Sequence, residues 1–97
     1  MNLKKLIENK EGTIVDVRTP SEYMGGHIPD AVNIPVSDLL QRVDELRELK
    51  QPLILYCASG GRSAMANYML KEQKFECVDA GSWLTINYLL SQNVETV

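Results

Sequence analysis

The sequence predicts an α/β fold, a small parallel β-sheet with helices on both faces. Two observations carry this. Short apolar runs rich in β-branched residues, bounded by Gly and Pro, recur along the chain, and stretches of helical spacing lie between them. Strands that alternate with helices build parallel sheets covered on both sides. With 97 residues, 44% of them hydrophobic, the chain can bury one core, so a single domain over residues 1–97 is expected.

Each element has a local reason. Leu3, Leu6 and Ile7 share one helical face, which predicts a short helix over 2–9, stopped by Glu11-Gly12. Thr13-Ile14-Val15-Asp16-Val17 is β-branched and reads as a strand. Pro20 suits a first helical turn, so a brief helix over 20–24 follows, closed by Gly25-Gly26. A turn over 28–31 leads to a short strand, Val32-Asn33-Ile34, which Pro35 ends. Ser37 or Asp38 is the expected cap of a helix with Leu39, Leu40, Val43, Leu46 and Leu49 on its core face. After Gln51-Pro52 comes an apolar strand, 53–57, and then a helix from Ser63 to about Lys71. Phe75 to Val78 is read as the last strand and Asp79-Ala80-Gly81 as a turn. Ser82 is expected to cap a final helix through about Leu90, with a frayed tail behind it.

Composition excludes several function classes. The net charge is -3 with the charges scattered, so no basic stripe invites nucleic acid. No apolar run approaches membrane-spanning length, and membrane partners are not expected. Lys4 and Lys5 have no apolar stretch behind them, so the N-terminus is not read as a secretory signal. Two cysteines make no disulfide framework, and a cytoplasmic location is expected. No Cys/His cluster has metal-ligand spacing, so no metal or other cofactor is expected.

The chemistry points to Cys57. It ends the run Leu53-Ile54-Leu55-Tyr56 and opens Cys57-Ala58-Ser59-Gly60-Gly61-Arg62-Ser63, just before a helix. A strand-to-helix turn aims backbone N–H groups at one point, and the helix N-terminus adds partial positive charge. Both favour the thiolate, which is the reactive form of the thiol. Gly60 and Gly61 let the backbone curl, and Arg62 supplies a permanent cation. An isolated cysteine at a strand end is ordinarily a small buried hydrophobe, but Gly-Gly-Arg-Ser has no use in a core. Ala58 through Arg62 are thus the candidate cradle for a sulfur-centred anion. Arg62 either binds an anionic substrate or braces the loop by bonding carbonyls. Ser63 reads as a helix N-cap, the alternative being a hydroxyl that bonds the sulfur.

These residues resemble the rhodanese family of sulfurtransferases over nearly the whole chain. Asp16-Val17-Arg18, Glu22-Tyr23 and the run from Gly26 to Pro35 are similar to the family's first motif. The stretch from Cys57 to Ser63 resembles its active-site loop, and Asp79-Ala80-Gly81-Ser82-Trp83 its later turn, with Ser82 in place of a second glycine. Many members carry an extra short strand before the first helix; this sequence starts almost at that helix, so that edge strand is expected to be missing. The resemblance implies a rhodanese-like single domain in which Cys57 takes a sulfane sulfur from thiosulfate or a persulfide. Cysteine persulfide then passes it to cyanide, a thiol or a protein acceptor such as thioredoxin. A non-catalytic sulfur-delivery or interaction module is the second reading. Phosphatase or arsenate-reductase chemistry ranks lower, because Cys57 and Arg62 make C-x4-R, a tighter cradle than the C-x5-R of cysteine phosphatases.

Supporting residues follow. Asp16 either orients loop groups or is a hydrogen-bonded structural carboxylate. Arg18 and Glu22 are expected to pair, anchoring the first motif. The resemblance gives His27, the sole histidine, a structural hydrogen bond in a turn. Cys77 is expected to be buried and inert, with a resolving role as the alternative. Trp83 and Tyr88 read as core or rim.

Overall fold

The computed structural model describes residues 2–94. Four parallel strands form one sheet: β1 (Thr13–Asp16), β2 (Val32–Asn33), β3 (Leu53–Cys57) and β4 (Cys77–Ser82), in the order β2-β1-β3-β4. The helices are α1 (Leu3–Glu8), α2 (Pro20–Met24), a 3-10 helix (Val36–Arg42), α3 (Val43–Arg47), α4 (Gly61–Glu72) and α5 (Trp83–Val94). The predicted α/β class holds.

The central strand shows why both faces are covered. Leu53, Leu55 and Cys57 face one apolar cluster, with Val15, Leu39, Leu46, Ala66 and Leu70. Ile54 and Tyr56 face the other, with Leu6, Ile7, Ile28 and Ile86. Period-2 alternation therefore buries every residue of β3. Each fully buried Leu or Ile contributes about 1.5–3 kcal/mol. At the start of β1, Gly12 has φ +77°, and a Cβ there would collide with the Pro52 carbonyl oxygen.

Three expectations need correction. The helix expected from Ser37 or Asp38 is a 3-10 helix and a short α-helix, joined at Arg42, which leaves helical dihedrals with φ -119° and ψ 29°. Neither expected cap works: Ser37 donates to Asp38 at 3.4 Å, while the Asp38 amide donates to the Pro35 carbonyl. Leu39 and Leu46 are buried as expected, but Leu40 is turned out, 54% exposed. The last strand also extends through the expected turn. Leu55 pairs with Asp79 but Tyr56 pairs with Gly81, so Ala80 is an inserted residue. Gly81 takes φ +76°, and its amide donates to Asp79 Oδ1 at 2.8 Å, which steadies the bulge. Finally, α4 starts at Gly61 rather than Ser63, because Gly60 at φ +107° turns the chain into the helix. Ser82 does cap α5, accepting the Leu84 amide at 3.1 Å. That helix runs to Val94, and the tail expected to fray lies outside the described residues. Among the described residues no helix is long and apolar enough to cross a membrane.

Candidate active site

All four strands are parallel, so the segments that follow them gather at one end of the sheet. Cys57 closes β3 at that end and is buried, whereas Ala58, Ser59 and Gly61 are exposed. The sulfur thus lies at the floor of a surface loop. The Gly60 amide donates to Sγ at 2.9 Å and the Ser63 amide at 3.4 Å. Ser63 Oγ lies 3.5 Å from Sγ. Burial pushes the Cys57 thiol up. The Ser63 hydroxyl and the amides of Ser63, Gly60 and Ser59 pull it down, and they win, so the thiol titrates below its ordinary value.

Ser63 is not the helix cap. It is the third residue of α4, buried, with its side chain turned back under the loop. Its single hydroxyl proton faces three acceptors: Sγ, the Gly60 carbonyl at 3.1 Å and the Gly81 carbonyl at 3.4 Å. With sulfur protonated, S–H donates to Oγ and the hydroxyl donates to a carbonyl. With sulfur ionised, the hydroxyl turns to the sulfur. The alternative reading of Ser63 is the one this geometry fits.

The arginines part from expectation. Arg62 reaches Glu22 rather than loop carbonyls, with Nη1 to Oε1 at 2.6 Å and Nη2 to Oε2 at 3.0 Å. This two-pronged pair ties the loop to α2. The Arg62 bond, with the Thr19 amide behind it, pulls the Glu22 carboxyl down to about 2. Glu22 is therefore not paired with Arg18. A partner two residues away is geometrically better placed: Arg18 donates to both oxygens of Asp16, at 2.7 Å from Nη2, and to the Gly26 carbonyl at 2.7 Å. The Arg18 guanidinium also stacks 4.7 Å from the Trp83 ring centroid.

Asp16 is fully buried and accepts the Tyr56 hydroxyl at 2.7 Å as well as Arg18. Tyr56 in turn accepts the Ile28 amide at 3.0 Å. Asn33 donates to the carbonyls of Asp16 and Arg18, at 3.0 Å each. Asp16 and Arg18 thus brace the end of β1 and the turn from Gly26 to Ile28, in the manner of structural groups. Asp79, read from the sequence as part of a turn, sits mid-strand and holds the bulge.

His27 donates from Nδ1 to the Tyr23 carbonyl at 2.8 Å, and its ring stacks on Tyr23 with centroids 3.7 Å apart. Cys77 is buried, which pushes its thiol up. It pairs with Leu53 at the far end of β3, four residues from Cys57. At about 3.3 Å per residue that is about 13 Å, too far for a resolving thiol without rearrangement. Trp83 packs at the rim of the second cluster, and Tyr88 is exposed.

Three contributors escaped the sequence reading. Tyr56 looked like one more apolar strand residue, although a Tyr in a buried run needs a partner for its hydroxyl. Thr19-x-x-Glu22 is a capping box, with the Thr19 amide on Glu22 Oε1 at 3.0 Å, and was visible as a motif. The Gly81 carbonyl depends on the bulge and left no signal.

Comparison with known proteins agrees with this frame. Residues 2–84 match the family model described as rhodanese-like domain. The chain is 44% identical to the Bacillus subtilis protein YqhL over 63 residues, 65% of this chain and 49% of that one. It is 34% identical to the thiosulfate sulfurtransferase GlpE of Pseudoalteromonas translucida over 74 residues, 76% of this chain and 70% of that one. A crystal structure of a rhodanese-related protein from Thermoplasma volcanium superposes with a TM-score of 0.70 at 38% identity, covering 81% of this chain and 79% of that one. The chain spans between 32% and 49% of the length of three of the curated bacterial relatives it matches, YqhL among them. A parallel sheet with helices on both faces, and a family match over all but the last residues, lead to one assignment: the chain belongs to the rhodanese-like domain family.

Proposed function

We propose that this domain, residues 1–97 acting as one unit, is a sulfurtransferase that carries a sulfane sulfur on Cys57. The observation that supports it most is the ring of donors around the buried sulfur, from Gly60 and Ser63. The Cys57 thiolate attacks the outer sulfur of a donor such as thiosulfate. The S–S bond of the donor breaks, and sulfite leaves with the bonding electrons. An acceptor thiolate or cyanide then attacks the outer sulfur of the persulfide and restores the Cys57 thiolate. Two displacements replace one difficult transfer. In each, negative charge stays on sulfur, where a loop N–H contributes about 3 kcal/mol, as in oxyanion holes. The loop from Ala58 through Ser63 is the cradle, with Asp16 and Arg18 bracing the strand end beside it. No metal or organic cofactor enters these steps. A reducing cytoplasmic setting suits a free nucleophilic thiol.

The test is intact mass after incubation with thiosulfate or an alkyl persulfide. One added sulfur on the wild type, and none on Cys57→Ser, is the expected result. An unchanged mass with every donor overturns the reading.

A further inference from the structure

We propose that the donor this site takes is a persulfide carried on a carbon thiol, R–S–SH, rather than inorganic thiosulfate, and that Glu22 is the positioning residue that sets this preference. The inference rests on the sulfane-carrier reading above and names its substrate class.

It follows from where the cations are. Thiosulfate is a dianion, and it must approach a thiolate. A free cation at the mouth would offset that repulsion. All ten Lys and Arg residues lie within the described part of the chain. In a parallel sheet, residues leading into a strand lie at the opposite end from residues leaving one. Lys4, Lys5 and Lys10 lead into β1, Lys50 into β3, and Lys71 and Lys74 into β4. Arg47 lies over the Phe75 ring, also ahead of β4. That leaves Arg18, Arg42 and Arg62 after the strand ends, and each is held by a carboxylate: Asp16, Glu45 and Glu22. The cation next to the nucleophile, Arg62, has both terminal nitrogens on Glu22. The mouth therefore offers a sulfur cradle but no free guanidinium for a sulfonate.

A persulfide carries at most one negative charge, and none when protonated, so it meets less repulsion than the thiosulfate dianion. The Cys57 thiolate attacks the outer sulfur of R–S–SH, and the S–S bond breaks. R–S⁻ leaves with the electron pair and takes the persulfide proton, leaving Cys57–S–S⁻ and R–SH. The charge at the site stays at one throughout.

Glu22→Gln isolates the effect. Gln is as good as Glu at the third position of a capping box, so the Thr19 contacts survive while the charge that neutralises Arg62 is gone. Loading of Cys57 is followed by intact mass at early times, with thiosulfate and with cysteine persulfide as donors. The wild type is expected to load faster from cysteine persulfide than from thiosulfate at equal concentration. Glu22→Gln is expected to raise the ratio of the thiosulfate to the persulfide rate constant about tenfold, the scale of one charge-assisted hydrogen bond. A merely structural role for Glu22 lowers both rates together. A wild type that loads equally well from thiosulfate, or a donor ratio unmoved in Glu22→Gln, overturns the inference while leaving sulfur transfer intact. Loading from neither donor overturns the underlying reading as well. If the variant does not fold, the wild-type preference alone decides. A cysteine-persulfide peptide, run alongside, separates a protein donor from a small-molecule one by which loads faster.

Discussion

A buried sulfur and a charged sulfur are ordinarily incompatible, and the loop donors, those of Ser63 and Gly60 above all, reconcile them here. Ser63 contributes both an amide and a hydroxyl to Sγ. Ser63→Ala removes the hydroxyl and keeps the amide. Because hydrogen bonds to charged groups are worth about 1.5–3 kcal/mol, sulfur loading of Cys57 is expected to slow by about tenfold or more, with the thiol titrating higher. Stopped-time mass measurement checks the rate. Tyr56 is a structural counterpart. Tyr56→Phe leaves the Ile28 amide unpaired and strips one donor from Asp16, so urea unfolding should show a loss of about 1–3 kcal/mol. Cys57 and the curl behind it were legible, because Gly-Gly-Arg-Ser after an apolar run has few other uses. The part played by Ser63 was not. Moving the cap from Ser63 to Gly60 turns the serine into an inward-facing third position, and only the left-handed Gly60 decides which.

At the scale of elements, short helices here depend on their ends. α2 has five residues and no fully buried side chain, so its capping box and its tie to Arg62 hold it together with Tyr23, which packs on the second cluster and donates to the Ala31 carbonyl at 2.6 Å. Thr19→Ala should cost about 1 kcal/mol in denaturant unfolding. It should also loosen the loop, since Glu22 is shared between cap and Arg62. Gly12 guards the turn into β1. Gly12→Ala combines a left-handed φ with a backbone collision, so a loss above about 2 kcal/mol is expected in the same assay. The central strands were legible from β-branched, apolar runs between Gly and Pro. The bulge in β4 was not, because Asp-Ala-Gly is as good a turn as it is a bulge, and only the register against β3 tells them apart. Leu40 misled for a related reason. A 3-10 helix winds more tightly than the α-helix its spacing implied.

Across the whole molecule, charge is arranged by sheet polarity. Lys10, Lys50 and Lys74 stand just ahead of β1, β3 and β4, at the end where strands begin, and the site at the other end holds its arginines in carboxylate pairs. The arrangement has an acid signature. Glu22 is pulled down to about 2 by Arg62, and Glu45 is pulled down by Arg42. Carboxyls lowered on folding add stability above their unfolded value of 4.5, and that stability is lost as pH falls toward the folded value. Stability should therefore fall between about pH 4.5 and pH 2, and less steeply in Glu22→Gln. Alternating elements made the overall architecture legible. Which carboxylate meets which arginine was set by chain crossings that no local pattern records, hence the mistaken pairing of Arg18 with Glu22.

The most direct measurement is a pH titration of thiolate absorbance, taken as the difference between the wild type and Cys57→Ser. The donors from Gly60 and Ser63 predict that Cys57 ionises below the ordinary value of a free thiol and ahead of Cys77. A midpoint at or above the ordinary value, or one indistinguishable from that of Cys77, would contradict the account.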